Sequence, residues 1–366
     1  MKKLLLIFTL LVSVIGILPV YADSPSNDTL SADSYLESVY DAIPEEVRPF
    51  LQYEYSSSSL TADTLVSISE VFIGRGLQAF LAFVFELGLY LLLIALMKRI
   101  SDAFLKGSFI PSLITGLVLV GAVCHPILEL AQMTEDFGHT VRTFVGSATV
   151  TLGGVLALGG NTISSVRMAA SVGTISYVLQ TVCLSLLFPT VMIVLVTVIG
   201  ASVSSQAIQA IGRVARSFYQ WLIGFISFFS VTVLTYQSVL AASEDTLAAK
   251  TVRFAISGSV PIVGGALGES LGTLTASVQA IRSEVGILGV MTVLVLALFP
   301  LSALLAFRFA VLIGEELSNA LGLSEAAELL GESRKLANML IGVTVLIGIL
   351  FIFVLSLYIM LPLAYS

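Results

Sequence analysis

Two carboxylates stand in apolar surroundings, where a charge is costly. Glu86 lies near the middle of an apolar run over 77–97, and Glu269 is the only acid between Phe254 and Ile281. On insertion scales an acid at the centre of a membrane helix costs roughly 2.5–3.5 kcal/mol, and such groups usually face the inside of a bundle. Two roles fit: a polar lining for a pathway, or a structural hydrogen bond. For Glu86 both are open, and for Glu269 the structural role is a cap on a half-helix. Few other groups could react. His125 beside Pro126 reads as a capped helix end, and His139 falls in the polar stretch that follows. Two isolated histidines make neither a metal site nor a catalytic set. Cys124 and Cys183 sit in apolar segments without metal-ligand spacing and read as small buried hydrophobes. The sequence holds no HExxH, no Walker A motif and no paired aspartates within its apolar runs. The expectation is a non-enzyme without cofactor or metal, so directional transport would draw on a gradient or a partner ATPase.

These residues need elements to hold them. The stretch 241–273 carries five glycines (Gly258, Gly264, Gly265, Gly268 and Gly272), with Pro261 among them. It is too glycine-rich for a simple membrane helix and too apolar for a surface loop. Broken backbone at membrane depth is tolerated only inside protein or beside a water-filled cavity. The stretch is therefore expected within a bundle. There Gly264 and Gly265 permit close backbone approach, serving either packing alone or a pathway lined by Glu86 and Glu269.

The rest of the chain supplies such a bundle. Of 366 residues, 57% are hydrophobic and 11% charged, against roughly 45–50% apolar and about 25% charged in soluble domains. The fold class is an all-α polytopic membrane protein. A net charge of −7 does not suggest nucleic-acid binding. Residues 1–22 read as a signal peptide: Lys2 and Lys3, an apolar core from Leu4 to Leu18, then Pro19 and a cut after Ala22. Residues 23–75 form an acidic extracytoplasmic arm, with ten acids against Arg48 and Arg75, either solvated or docking a partner. The membrane domain, 76–366, offers segments at 77–97, 109–130, 144–160, 172–200, 218–241, 254–281, 285–313 and 339–360. Six to eight helices cross or re-enter, depending on whether 144–160 and 254–281 span. The basic residues Lys98, Arg99 and Lys106 place the end of the first span in the cytoplasm. Two amphipathic connectors, 201–219 and 314–338, are expected at the membrane surface.

An internal duplication is written at an offset of 111 residues. Gly153-Gly154 matches Gly264-Gly265, Phe188-Pro189 matches Phe299-Pro300, Arg142 matches Arg253, and Thr162 matches Thr273. Glu135-Asp136 and Glu244-Asp245 lie close to the same offset. Corresponding broken segments in two halves point to a transport site. If the double-glycine segments re-enter, the halves are parallel; if they span, the halves are inverted.

The run SEDTLAAKTVRFAISGSVPIVGGALGESLGT over 243–273, followed by VGILG from Val285, resembles the stage III sporulation protein AE family of endospore-forming bacteria. Its marks are a basic amphipathic run, a FAIS segment, and PIVGGAL. The resemblance extends from about Leu77 onward, and the arm agrees in position and composition. It implies a multi-pass protein of the mother-cell membrane around the forespore, acting after engulfment. It further implies a subunit of a channel or secretion-like complex joining the two cells. The implied partners are sister stage III proteins, among them a cytoplasmic secretion-type ATPase, and a forespore membrane protein. The family carries no catalytic residues to transfer. A stand-alone secondary transporter for a small solute is the other reading that the repeat allows.

Overall fold

The computed structural model describes residues 37–51, 62–104, 110–201, 206–259 and 264–361. Among them seven α-helices and no strand occur. They are α1 (Ala62–Phe104), α2 (Ile110–Leu158), α3 (Thr162–Val178), α4 (Ser185–Ala201), α5 (Gln206–Ser259), α6 (Gly264–Ala320) and α7 (Ser324–Met360). A π-helical turn, Leu179–Leu184, joins α3 to α4. Six runs are long and apolar enough to cross a membrane: Phe72–Ile100, Val120–Leu158, Thr162–Thr197, Ala210–Leu247, Val278–Ala320 and Ser324–Met360.

The centre is an antiparallel pair, α6 and α7. A Cβ added at Gly286 would lie 2.3 Å from Ile359 Cγ1, so this glycine lets α7 press against the α6 backbone. Further along the pair, Gly314 faces Leu330. Helix α2 lies beside them, with Thr344 Oγ1 3.5 Å from Thr134 Oγ1. Helix α1 runs on the outer side of α6, where Phe83 and Phe307 meet edge to face at 5.4 Å. The turn between α6 and α7 uses Gly322 at φ +71, a left-handed conformation that glycine adopts without steric cost. Lys98, near the end of α1, donates to the Gly322 carbonyl at 2.7 Å.

The segments 109–130 and 144–160, expected as separate elements around a polar loop, form a single helix down to Leu158. The reason is a buried stripe that never lapses: Leu130, Thr134, Phe137, Val141, Phe144 and Ala148. Charged Glu135, Asp136, His139 and Arg142 occupy the remaining positions, so the polar stretch has a buried face at helical spacing. Gly153 and Gly154 therefore lie inside α2, and 144–158 makes no re-entrant break. The connectors are continuations of long helices: 206–219 opens α5, and 314–338 is the end of α6, a turn and the start of α7.

Two units share one direction, α2 with α3–α4 and α5 with α6. The α5 residue Asp245 reaches the start of α3 (below), which puts the far ends of α2 and α5 together. Pro189 and Pro300 each lie inside the returning limb. The turns are not equivalent, however. The first unit turns at Gly159–Asn161, after its double glycine. In the second, α5 ends at Ser259 and the double glycine opens α6 at Gly264.

Arm residues 37–51 lie against the membrane helices of the same chain. Val39, Ile43, Val47 and Leu51, four apart, are buried, while Glu37, Asp41, Glu45 and Glu46 stay exposed. Ser38 Oγ lies 3.3 Å from Thr151 Oγ1 of α2.

Candidate functional site

Among the described residues, polar contacts gather where α2 turns into α3 against α5. Gly160, at φ +84, reverses the chain after Leu158. The Asn161 amide returns to the Leu156 carbonyl at 3.0 Å. Ser165 Oγ donates to the Gly153 carbonyl at 2.8 Å, tying the first turn of α3 to the double glycine. A helix N-terminus leaves backbone N–H groups unpaired and carries a partial positive charge. Here the Asp245 carboxylate of α5 fills that role, accepting from Ile163 N at 3.0 Å and Ser164 N at 2.9 Å. Asp245 is only 2% exposed. One turn on, Arg167 pairs with Glu244 at 2.9 Å, and Ser171 donates to the Gln237 side chain. Both members of the acidic pair thus hold α3 to α5. Asp245 is engaged by two amides and serves as a clamp.

The opposite end of the bundle has its own ion pairs. Arg216 of α5 meets Glu332 of α7 at 3.2 Å, Lys335 bonds the same carboxylate, and Arg334 meets Glu315 at 3.2 Å. From His125 to Ser147 the exposed side chains of α2 are polar, and Val150 and Leu158 beyond them are exposed and apolar. His125 lies 3.9 Å from Glu129, and His139 3.8 Å from Glu135. Thr143 and Ser147 return their hydroxyls to the carbonyls of His139 and Thr143, at 3.0 and 3.3 Å. Both histidines of the chain therefore share one helix face. Among the described residues no three His, Cys, Asp or Glu side chains gather as a metal would require.

The residues singled out from sequence are not brought together. Glu86 is exposed on α1 beside Leu81, Phe85 and Leu89, turned out of the bundle rather than into it. The inward face of α1 is taken by Leu87, Leu91 and Ile94, and Glu86, about 100° round the helix from Leu87, falls outside that face. Gly153 is buried at the α2–α3 turn, with Gly154 beside it. Pro261 lies outside the described residues. Gly264, Gly265 and Glu269 fall in the first turns of α6, and their side-chain surroundings are outside the described residues as well. Sequence reasoning missed the capping role of Asp245, for which only its pairing with Glu244 was a signal. It also missed the period-four polar series Glu135, His139, Thr143, Ser147, Thr151, which is legible once the helix is known to be continuous. It passed over Gly268-Glu269-Ser270-Leu271-Gly272, which has the spacing of a nucleophile elbow. That motif needs a strand-to-helix turn, and here it lies within the continuous helix α6.

A family model described as Stage III sporulation protein AE matches residues 57–361. No curated protein and no solved structure is matched.

Proposed function

The chain belongs to the stage III sporulation protein AE family, and on that premise we propose that it is an integral subunit of a channel or secretion-like complex joining mother cell and forespore. It is a stage III sporulation protein and a membrane protein with six candidate crossings. In this reading it sits in the mother-cell membrane around the forespore and supports forespore development after engulfment. It assembles with sister stage III proteins, including a secretion-type ATPase on the cytoplasmic side and a partner in the forespore membrane. The arm and the α2–α3 turn lie outside, and the Lys98 end of α1 lies in the cytoplasm, where basic residues are favoured.

The observation that carries an assembly role is Glu86. The outward face of α1 is otherwise apolar, with Leu81, Phe85, Leu89, Leu92 and Leu96 exposed. A carboxylate in such a face is costly against lipid and inexpensive against a polar group of a neighbouring chain. The test is affinity purification of the full chain from membranes of sporulating cells. Co-purification of sister stage III proteins is the expected result. The second reading, a stand-alone secondary transporter, draws on the two like-directed units. Solute uptake by the purified chain alone in liposomes, without co-purifying proteins, would favour it.

A further inference from the structure

Helix α1 carries an apolar belt whose ends are marked by charge. Leu77, Leu81, Phe85, Leu89, Leu92 and Leu96 are exposed along it, and Arg75 and Lys98 stand just beyond. At 1.5 Å per residue, Arg75 to Lys98 covers about 35 Å, against roughly 30 Å of hydrocarbon in a bilayer. Arg75 therefore sits at headgroup level and the belt at hydrocarbon depth. Directly below Arg75, the seam between α1 and α6 does not close. Gly76, Ser302 and Ala306 are short, and Phe80, Phe309 and Ile313 stand around them, leaving a hollow of 320 Å³. Phe309 and Ile313 are exposed, so the hollow opens outward. Among the described residues that line it, the one polar side chain is Ser302, whose hydroxyl is spent on the Phe299 carbonyl at 2.8 Å. From Ser302 to Ile313 the hollow follows α6 for about 16 Å.

We propose that this hollow holds one acyl chain of an anionic phospholipid, with the phosphate on Arg75. An apolar hollow left empty forfeits dispersion contacts, and water finds too few polar partners on such walls. At this depth the surrounding solvent is lipid tail, a long apolar shape that fits an elongated apolar groove. Charge selects the lipid. The Arg75 guanidinium lies over the Phe299 ring, 5.0 Å from its centroid and one turn above Ser302. That contact holds it in place, and no carboxylate among the described residues pairs with it. A guanidinium with free N–H groups takes phosphate in charge-assisted hydrogen bonds. A choline lipid brings its own cation to the same place, so a lipid with net negative charge is favoured. Arg308 is a second cation near the hollow, 5.6 Å from the Phe309 ring. Its neighbour Phe307 meets Phe83 of α1, eight residues on from Arg75, which puts Arg308 about 12 Å deeper. The phosphate therefore belongs to Arg75.

This goes beyond the proposed function and needs no sister protein, so the purified full chain in vesicles tests it. Trp221→Phe removes the single tryptophan of the chain. Phe309→Trp then places an indole on the hollow, and Leu92→Trp places one on the open belt as a control. Vesicles mix phosphatidylcholine with phosphatidylglycerol, and in two series one or the other carries brominated chains, which quench an indole on contact. The indole at 309 should prefer phosphatidylglycerol at least threefold, and the indole at 92 should show no preference. Arg75→Gln should bring position 309 down to the control, and so should Ala306→Phe, which fills the hollow. Arg308→Gln should leave the preference in place. Equal quenching by the two lipids at 309 overturns the anionic lipid. A preference that survives Arg75→Gln overturns the phosphate contact. Quenching by neither lipid at 309, with normal quenching at 92, overturns the acyl occupant in favour of a covering protein. Co-purification of sister proteins has no bearing on these readings, so the two proposals fail separately.

Discussion

Asp245 and Ser164 are 81 residues apart in sequence, and the carboxylate of one accepts the amide of the other at 2.9 Å. A cap supplied from a distant helix joins the end of one repeat unit to the turn of the other. It leaves the start of α3 with no capping side chain of its own; Asn161 makes no such bond.

Asp245→Ala leaves the Ile163 and Ser164 amides, one part-buried and one buried, without their carboxylate and should cost about 2–4 kcal/mol, since charge-assisted hydrogen bonds contribute about 1.5–3 kcal/mol. Arg167→Ala should cost about 0–1 kcal/mol, because its pair with Glu244 is more than a third exposed. Denaturant unfolding in detergent micelles compares the two. Equal losses would show that the cap is not what holds α3.

Gly286→Ala places a methyl against Ile359 and should lower stability by about 1–3 kcal/mol, the usual range for overpacking. Adding Ile359→Ala should restore part of that loss. Gly173→Ala, with nothing within 4 Å of the new Cβ, should be neutral or slightly stabilising. If the double variant at 286 and 359 shows no coupling, the close approach of α6 and α7 is not there.

At the other end, Glu332→Ala leaves Arg216, with only 12% of its side chain exposed, facing no carboxylate, at about 3 kcal/mol. Arg216→Met should cost less, because Glu332 keeps Lys335. The order of the two unfolding midpoints decides it; the reverse order would mean that Lys335 contributes little.

Glu86→Leu should leave the chain in the membrane at normal level while sister proteins co-purify at least tenfold less. Glu86→Gln, which retains hydrogen bonding, should lose less. Undiminished co-purification with Leu at this position would remove Glu86 from the assembly contact.

Cysteines placed at Ser257 and Ser283 should both react with an impermeant thiol reagent from the extracytoplasmic side. Reaction from opposite faces would mean that the stretch between them crosses the membrane and that the two units are not parallel.

Helices and their number were legible because apolar composition and run length leave few alternatives. The six candidate crossings among the described residues lie at the lower end of the expected six to eight. The continuity of α2 was not legible, because Thr134–Arg142 reads as a polar loop until Phe137 and Val141 are seen to keep one face buried. Glu86 was expected to line the interior from the cost of its charge alone. Its direction depends on which side of α1 meets α6, and that was fixed by Leu87 and Leu91 packing near Gly314. The acidic pair at 244–245 was visible as a repeat mark. Its function was not, because a cap across 81 residues has no local signature.

The π turn at Leu179–Leu184 lies in one returning limb, while α6 is an uninterrupted α-helix over Gly264–Ala320. A widened turn just ahead of Pro189 concentrates bending at one place, and Tyr219 of α5 holds that place by donating to the Cys183 carbonyl at 2.8 Å. The two halves are therefore mechanically unequal: one returning limb bends at a proline alone, and the other at a proline and a widened turn, with the Tyr219 phenol fastened at that joint.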